Sequence, residues 1–282
     1  MSERPGPVLV TGANSGFGLA AVLRFAGRGW PTWGTVRSKA KAKVLTDAAK
    51  AKGVADLVHP LVLDVGDHDA VVRAWPTLPP FYAVVNNAGY SALGAAEDVS
   101  AAEAMRNLGV NLVAPAVVSA CALPAMRERG SGRIVMISSI AGRAAVLPLN
   151  GWYHASKFGL EALSDVLRME VAQFGVKVVV VEPGFFKTEI ESKARADAQE
   201  REAVADGHYR NAYHRLETMA GVIGSVAPPP DLVARTIVTA VESQRPLKRY
   251  LVGADALAIA AANPLLPRAL TDALLRRLAD LG

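Results

Sequence analysis

The sequence predicts one doubly wound α/β domain spanning residues 1–282, a seven-stranded parallel sheet covered by helices on both faces. Three observations carry this. Short β-rich apolar runs alternate with longer helical patterns along most of the chain. The runs IVMIS (134–138) and VVVVE (178–182) are almost continuously hydrophobic, as strands buried on both faces must be. A glycine-rich turn, TGANSGFG (11–18), directly follows the first run and opens the first helical pattern.

In chain order, strands are expected at PVLVTG (7–12), PTWGTV (31–36), LVHPLVLDV (57–65) and FYAVVNNAG (81–89). The last three are expected at GRIVMISS (132–139), VKVVVVEPG (176–184) and KRYLVG (248–253). Helices fall between them, around 17–28, 39–52, 67–75, 101–129 and 152–174. APPPD (227–231) marks entry into a further sheet-covering helix. The interval 184–230 is too long for an ordinary loop, and its charged middle, ESKARADAQEREAVAD, is helix-prone, so it reads as a substrate-binding flap. Residues 254–282 read as a C-terminal helical extension.

Composition narrows the function classes. Half the residues are apolar, enough for a large core. The single cysteine, Cys121, excludes an intramolecular disulfide and suits a reducing compartment; its apolar helical setting predicts an inert thiol. No signal-peptide pattern and no unbroken run of apolar residues long enough to span a bilayer is seen, and ALAIAAANPLL is interrupted by Asn263 and Pro264, so a soluble cytoplasmic protein is expected. The net charge of +5 is scattered, which argues against nucleic acid as a partner. His59 and His68 are isolated, and His208 and His214 lack a second ligand at metal spacing, so no metal site is expected.

The glycine-rich turn is the first chemical signal. Gly12 permits a tight turn, Gly16 lets the backbone approach a pyrophosphate, and Gly18 allows close helix–strand packing, with Asn14, Ser15 and Phe17 between them. The helix N-terminus then offers N–H groups to an anion. At the end of the second strand, where a carboxylate would select NAD, the chain has Thr35, Val36 and Arg37. A guanidinium there suits a 2′-phosphate, so NADP(H) is the expected cofactor. Asp64, next to Val65, either accepts a hydrogen bond from the adenine amino group or caps the following helix.

The second signal is GWYHASKFG (151–159), in which Tyr153 and Lys157 share a helical face one turn apart. Together with NNAG (86–89), Asn111 in VNLVAP, Ser139 in ISSIAG and PGFFKT (183–188), these motifs resemble, in content and order, the short-chain dehydrogenase/reductase family in its single-domain, Rossmann-type form. The likeness runs from about residue 7 to 253. The stretches GTVRS and NGWYHASKFGLEALSDVLRMEV are similar to the branch holding hydroxysteroid and retinol dehydrogenases.

The resemblance implies hydride transfer between nicotinamide and a carbonyl or alcohol carbon. It makes Tyr153 the general acid/base and Lys157 the cation that lowers its pKa and holds the nicotinamide ribose. Ser139 becomes a donor to the oxyanion, and Asn111 the anchor of a water relay. Asn87, Ala88 and Gly89 would wall the cofactor, while Phe186 and Thr188, beside Pro183 and Gly184, would hold the carboxamide. The family usually places its serine thirteen residues before the tyrosine; here Ser139 precedes Tyr153 by fourteen, which an extra residue in RAAVLP (143–148) explains. Ser138 is the fallback, but strand alternation turns it to the opposite face. His154, one position off the Tyr–Lys face, is expected to be exposed or interfacial.

Substrate contacts are expected from Ser139, Leu149, Tyr153 and Phe185, with Tyr90, Val146, Leu147, Trp152, Phe186, Tyr209, Tyr213 and Met219 as further candidates. Their apolar character suits a hydrophobic ketone or secondary alcohol, steroid-, retinoid- or aryl-ketone-like. Two rivals stand beside this reading. One is a catalytically silent NADP(H)-binding sensor of the same fold. The other is a sugar-nucleotide epimerase or dehydratase, whose wider glycine spacing and larger C-terminal domain are missing here. Apolar stripes on more than one side of the helices at 101–129 and 152–174 suit a subunit interface, and the resemblance implies a homodimer or homotetramer built on them.

Overall fold

The computed structural model describes residues 6–187, 196 and 208–281. Seven strands form one sheet: β1 (Val8–Val10), β2 (Thr32–Val36), β3 (Val58–Val62), β4 (Ala83–Asn86), β5 (Gly132–Ile137), β6 (Val176–Pro183) and β7 (Arg249–Val252). Their spatial order is β3-β2-β1-β4-β5-β6-β7, and every pairing is parallel. The order reverses at β1, the switch point of a doubly wound sheet, where a crevice opens beyond the carboxyl ends of β1 and β4.

Helices cover both faces. On one lie α1 (Gly16–Gly27), α2 (Lys39–Ala51) and, later in the chain, a helix over Asp231–Glu242. Val8, Val10, Val85, Val135 and Val181 pack there against Ala21, Val22, Phe25, Ile237 and Val241. On the other face α3 (His68–Ala74), α5 (Ala114–Arg129) and α6 (Gly151–Val171) meet Leu9, Val84, Ile134, Met136, Val178 and Val180, with α4 (Ala101–Leu108) packed against α6. Successive strand residues serve opposite cores, which is why these runs do not alternate with polar residues.

Helix ends follow the sequence. Ser38 caps α2 by accepting the Lys41 N–H, and Ser100 forms a capping box with Glu103 on α4. Asp67, not Asp64, caps α3 by accepting the Ala70 N–H. Asp64 instead accepts the Gly66 N–H at 2.9 Å and turns the chain locally, so the capping alternative is corrected.

The helix expected over 101–129 is interrupted. Gly109–Val113 is π-helical, and Asn111 sits inside it. Pro115 has no N–H to return to the Asn111 carbonyl four residues earlier, which favours the local widening. The whole span Ala101–Arg129 reaches a mean hydropathy of 1.8 over its best window, long and apolar enough to cross a membrane by composition. One of its faces, including Ala114, Val118, Ala122 and Met126, lies against the sheet.

In the expected flap, α7 (Arg210–Val226) is described, and the helix over Asp231–Glu242 follows as α8. The charged middle of that segment, with Thr188, lies outside the described residues. Tyr213 anchors α7: it is fully buried, donates its hydroxyl to Asp98 and accepts the Ala95 N–H. After β7 come α9 (Ala254–Ala262) and α10 (Arg268–Leu278).

Candidate active site

A cleft of about 950 Å³ runs along the carboxyl ends of the central strands, from Arg37 and Lys41 at one end to Tyr153 and Lys157 at the other. Its floor is the glycine-rich turn. Gly12 sits at φ +67°, where a side chain would press on Ala88, and a Cβ on Gly18 would overlap the Gly12 carbonyl and the Asn87 amide. The first two of these glycines, Gly12 and Gly16, line the cleft with Asn14, Ser15 and Phe17. Gly18 is buried beneath them, where it sets how closely α1 approaches the turn.

The NNAG motif holds this turn in place. Asn87 Nδ2 donates to the Thr11 and Gly12 carbonyls at 2.8 and 3.1 Å. The Thr11 hydroxyl accepts both the Asn87 and Ala88 N–H groups at 2.9 Å. On the other side, Thr35 accepts the Gly12 N–H at 3.2 Å. Asn87, Ala88 and Gly89 therefore form the wall while their polar atoms fix the floor.

The residues fit a dinucleotide. No side chain caps the N-terminus of α1 and its first turn carries no acid, so its leading N–H groups face the cleft for an anion. Arg37 is exposed on the wall, and Lys41, one turn into α2, joins it. Asp64 and Val65 line the same end. The sequence reading missed Lys41, Met105 and Arg106 as wall residues, because α2 and α4 contribute them through tertiary packing.

At the opposite end, α6 presents Tyr153 and Lys157. Burial pushes the Tyr153 phenol above its ordinary range, and a hydrogen bond from the Ser139 hydroxyl pulls the other way. Lys157 is 5% exposed and donates to the Ile137 carbonyl at 2.9 Å; burial lowers its pKa to about 8, opposed by the charge of Glu161. Its Nζ lies 5.6 Å from the centre of the Tyr153 ring. The expected lowering of the phenol by Lys157 is thus corrected for the chain by itself: desolvation dominates and raises it.

Ser139 and Ser138 face opposite ways, as alternation requires. Ser139 accepts the Ala141 N–H at 3.1 Å and reaches the phenol, whereas the Ser138 hydroxyl is buried without a partner among the described residues. Asn111 is held by both edges of the Tyr90 backbone, accepting its N–H at 3.0 Å and donating to its carbonyl at 2.9 Å. It also donates to Ser156 at 3.0 Å. A Cβ on Gly89 would lie 3.1 Å from Asn111 Oδ1 and 3.7 Å from Lys157 Nζ, so this glycine keeps the passage between them open.

His154 corrects an expectation. It is buried; Nδ1 donates to the Ala141 carbonyl at 2.8 Å and Nε2 accepts the Leu147 N–H at 3.3 Å. That pairing requires the neutral ring protonated on Nδ1. It ties both ends of the loop before α6. Leu149, at the close of that loop, takes φ +57° and packs with Leu93, Ala95, Ala212 and Tyr213 rather than lining the cleft.

Other candidates also serve packing. Phe186 is core, edge-on to Phe17 at 5.7 Å. Phe185 is half-buried, with its N–H bonded to Asp255 at 2.6 Å. Pro183 ends β6 and Gly184 abuts Asp255; neither lines the cleft. Tyr90 does line it.

Residues 7–199 match the family model for short chain dehydrogenase. The chain belongs to the short-chain dehydrogenase family. It is 32% identical to human (Homo sapiens) retinol dehydrogenase 5, over 95% of this chain and 87% of that protein. It is 31% identical to the NADPH-dependent 3-dehydrocapnine reductase of Ornithobacterium rhinotracheale, over 94% of each. A solved short-chain dehydrogenase from Streptomyces avermitilis superposes with a TM-score of 0.75 at 29% identity, covering 99% of this chain and 97% of that one. Membership makes the protein an oxidoreductase acting on CH–OH groups, similar to the retinol and hydroxysteroid dehydrogenase branch.

Proposed function

We propose that the protein is an NADP(H)-dependent reductase or dehydrogenase of hydrophobic ketones or secondary alcohols, with Tyr153 as general acid/base. The observation that carries this reading is one cleft with Arg37 and Lys41 at one end and Tyr153, hydrogen-bonded to Ser139, and Lys157 at the other. Arg37 supports NADP(H) over NAD(H), as does the NADPH dependence in the name of a relative 31% identical. The names of relatives acting on retinol and 17β-hydroxysteroids support an apolar substrate.

In this reading the α1 N-terminus holds the pyrophosphate, Arg37 and Lys41 take the 2′-phosphate, and Lys157 takes the nicotinamide ribose. The bound nicotinamide supplies the hydride that reaches the carbonyl carbon. Tyr153 gives its proton to the carbonyl oxygen while Ser139 donates a hydrogen bond to it. A phenol raised by burial is a reservoir of protons at neutral pH, which suits reduction; in the oxidative direction Lys157 must favour the phenolate. Asn111, fixed beside Gly89, connects the ammonium to the exterior. Exposed Val113 on the π-helical turn and Phe158, Val166 and Met169 on α6 support a homo-oligomer built on this side of the molecule.

The test is NADPH consumption across steroid ketones, retinal, aryl ketones and small aldehydes, with Tyr153→Phe as control. Turnover of an apolar ketone that disappears in the variant is expected. NADPH binding without turnover of any carbonyl would favour the silent sensor instead.

A further inference from the structure

The face of α6 that carries Tyr153 and Lys157 does not end there. Every fourth residue repeats it, so Glu161 and Asp165 follow on the same side. They meet Glu182 of β6, Arg249 of β7 and Arg143 from the turn after β5. Arg249 donates to Glu161 at 3.0 Å, to Asp165 at 2.8 Å and to Glu182 at 3.1 Å. Arg143 donates to the same Glu182 oxygen at 2.8 Å, and Arg168 to Asp165 at 2.5 Å. The other charged groups nearby are committed elsewhere. Glu103 of α4 serves the Ser100 cap, Arg106 stands on the cleft wall, and Asp255 of α9 holds the Phe185 N–H.

Two oxygens in this cluster are left over. Glu161 Oε1 and Glu182 Oε2 are buried with no donor among the described residues, while Arg249 Nε donates to the other oxygen of each, at 3.2 and 3.1 Å. Ionised carboxylates only accept, so the two leftover oxygens can pair with each other only through a proton on one of them. With all three carboxyl groups ionised, Asp165, Glu161 and Glu182 are matched by the guanidinium groups of Arg143, Arg168 and Arg249; a proton shared by the two glutamates leaves one positive charge in excess, before Lys157 is counted. Burial, with the neighbouring Glu161 charge working in the same direction and Arg143 opposing, raises Glu182 to about 7.

Lys157 needs such a neighbour. Its hydrogen-bond acceptor, the Ile137 carbonyl, is neutral and cannot compensate a buried ammonium. We propose that Glu161 is a positioning residue for the reaction: from one turn behind Lys157 it keeps the ammonium charged, and the proton it shares with Glu182 sets how strongly it does so. The proposal rests on the reading of Lys157 as part of the reacting group. It gives a reason for a fully buried glutamate at the end of VVVVE, in a strand whose other charged residue, Lys177, is exposed.

The test compares isosteric variants. In Glu161→Gln the ammonium loses its carboxylate, and the alkaline limb of carbonyl reduction should move down by about half to one pH unit. In Glu182→Gln the side-chain amide can donate to Glu161 and fix it as the anion, so the limb should stay or move up. A structural role alone would move both variants the same way. The second readout needs neither substrate nor cofactor: NMR of the chain isotope-labelled at glutamate Cδ and lysine Cε. Wild type should show a glutamate titrating near neutral pH, absent from both variants, and a Lys157 midpoint lower in Glu161→Gln only. Wild-type glutamates all titrating below about pH 5.5, or a Lys157 midpoint unmoved by Glu161→Gln, overturns the proposal. If the variants do not fold, the wild-type glutamate titration still decides. Failure of the site reading is separate, because it would appear as full turnover in Tyr153→Phe.

Discussion

Lys157 and Tyr153 lie one turn apart on α6, yet the ammonium bonds the Ile137 carbonyl rather than the phenol and stands 5.6 Å from the centre of the tyrosine ring. The phenol bonds Ser139 instead. The lysine thus acts on the tyrosine through space. Removing the phenol oxygen in Tyr153→Phe should lower kcat at least about a hundredfold while leaving NADPH affinity within a few-fold, measured by turnover and cofactor titration.

Arg37 stands exposed on the cleft wall with Lys41 behind it. Arg37→Ala should weaken NADPH by about ten- to a hundredfold, the worth of a charge-assisted contact of roughly 1.5–3 kcal/mol. NADH should be almost unaffected. Equal losses for both cofactors, by calorimetry, would exclude a 2′-phosphate contact.

Burial of Lys157 has a thermodynamic signature. Its folded pKa of about 8 lies below the ordinary 10.5, so between these values the unfolded chain binds more protons than the folded one. Stability should therefore rise with pH across that window. Denaturant unfolding should show the rise in wild type and a flatter profile in Lys157→Met, while Tyr153→Phe keeps it.

His154 fixes the loop that leads into α6. His154→Ala removes two hydrogen bonds and leaves the Ala141 carbonyl and Leu147 N–H without partners, which should cost about 2–3 kcal/mol. Burial, its first cause, holds the ring below its ordinary pKa of 6.5. The stability it contributes is present above pH 6.5 and is lost as pH falls below it; the variant should lack that acid dependence.

Gly18→Ala tests the floor of the cleft. The added methyl overlaps the Gly12 carbonyl and the Asn87 amide, so either α1 moves or the turn does. A drop in NADPH affinity together with a lower melting temperature is expected, by thermal shift with and without cofactor.

Much of this was legible in the residues. The apolar runs located all seven strands because parallel strands leave no solvent face, and the glycine turn declared itself by following one of them. Alternation assigned Ser139 and Ser138 to opposite faces, and the Ser139 hydroxyl is the one that reaches the phenol. His154 was not legible: helical phase turns it from the Tyr–Lys face, but the loop over Ala141–Leu147 folds back to cover it, which no local pattern records. Leu149, Phe185 and Phe186 were assigned to the cleft on apolar character, a property that core and pocket share. The π-helical turn had a signal in Pro115, four residues past Asn111.

The sheet order has one more consequence, for how the protein is made. β2 and β3 build outward from β1 on one side, and β4 to β7 are then laid down on the other in the order they leave the ribosome. Each new strand after β4 finds its template already formed by its predecessor. Synthesis can therefore proceed with a single advancing edge, capped last by β7, and a nascent chain stalled before Arg249 would present β6 as an open, strongly apolar edge to the cell's chaperones.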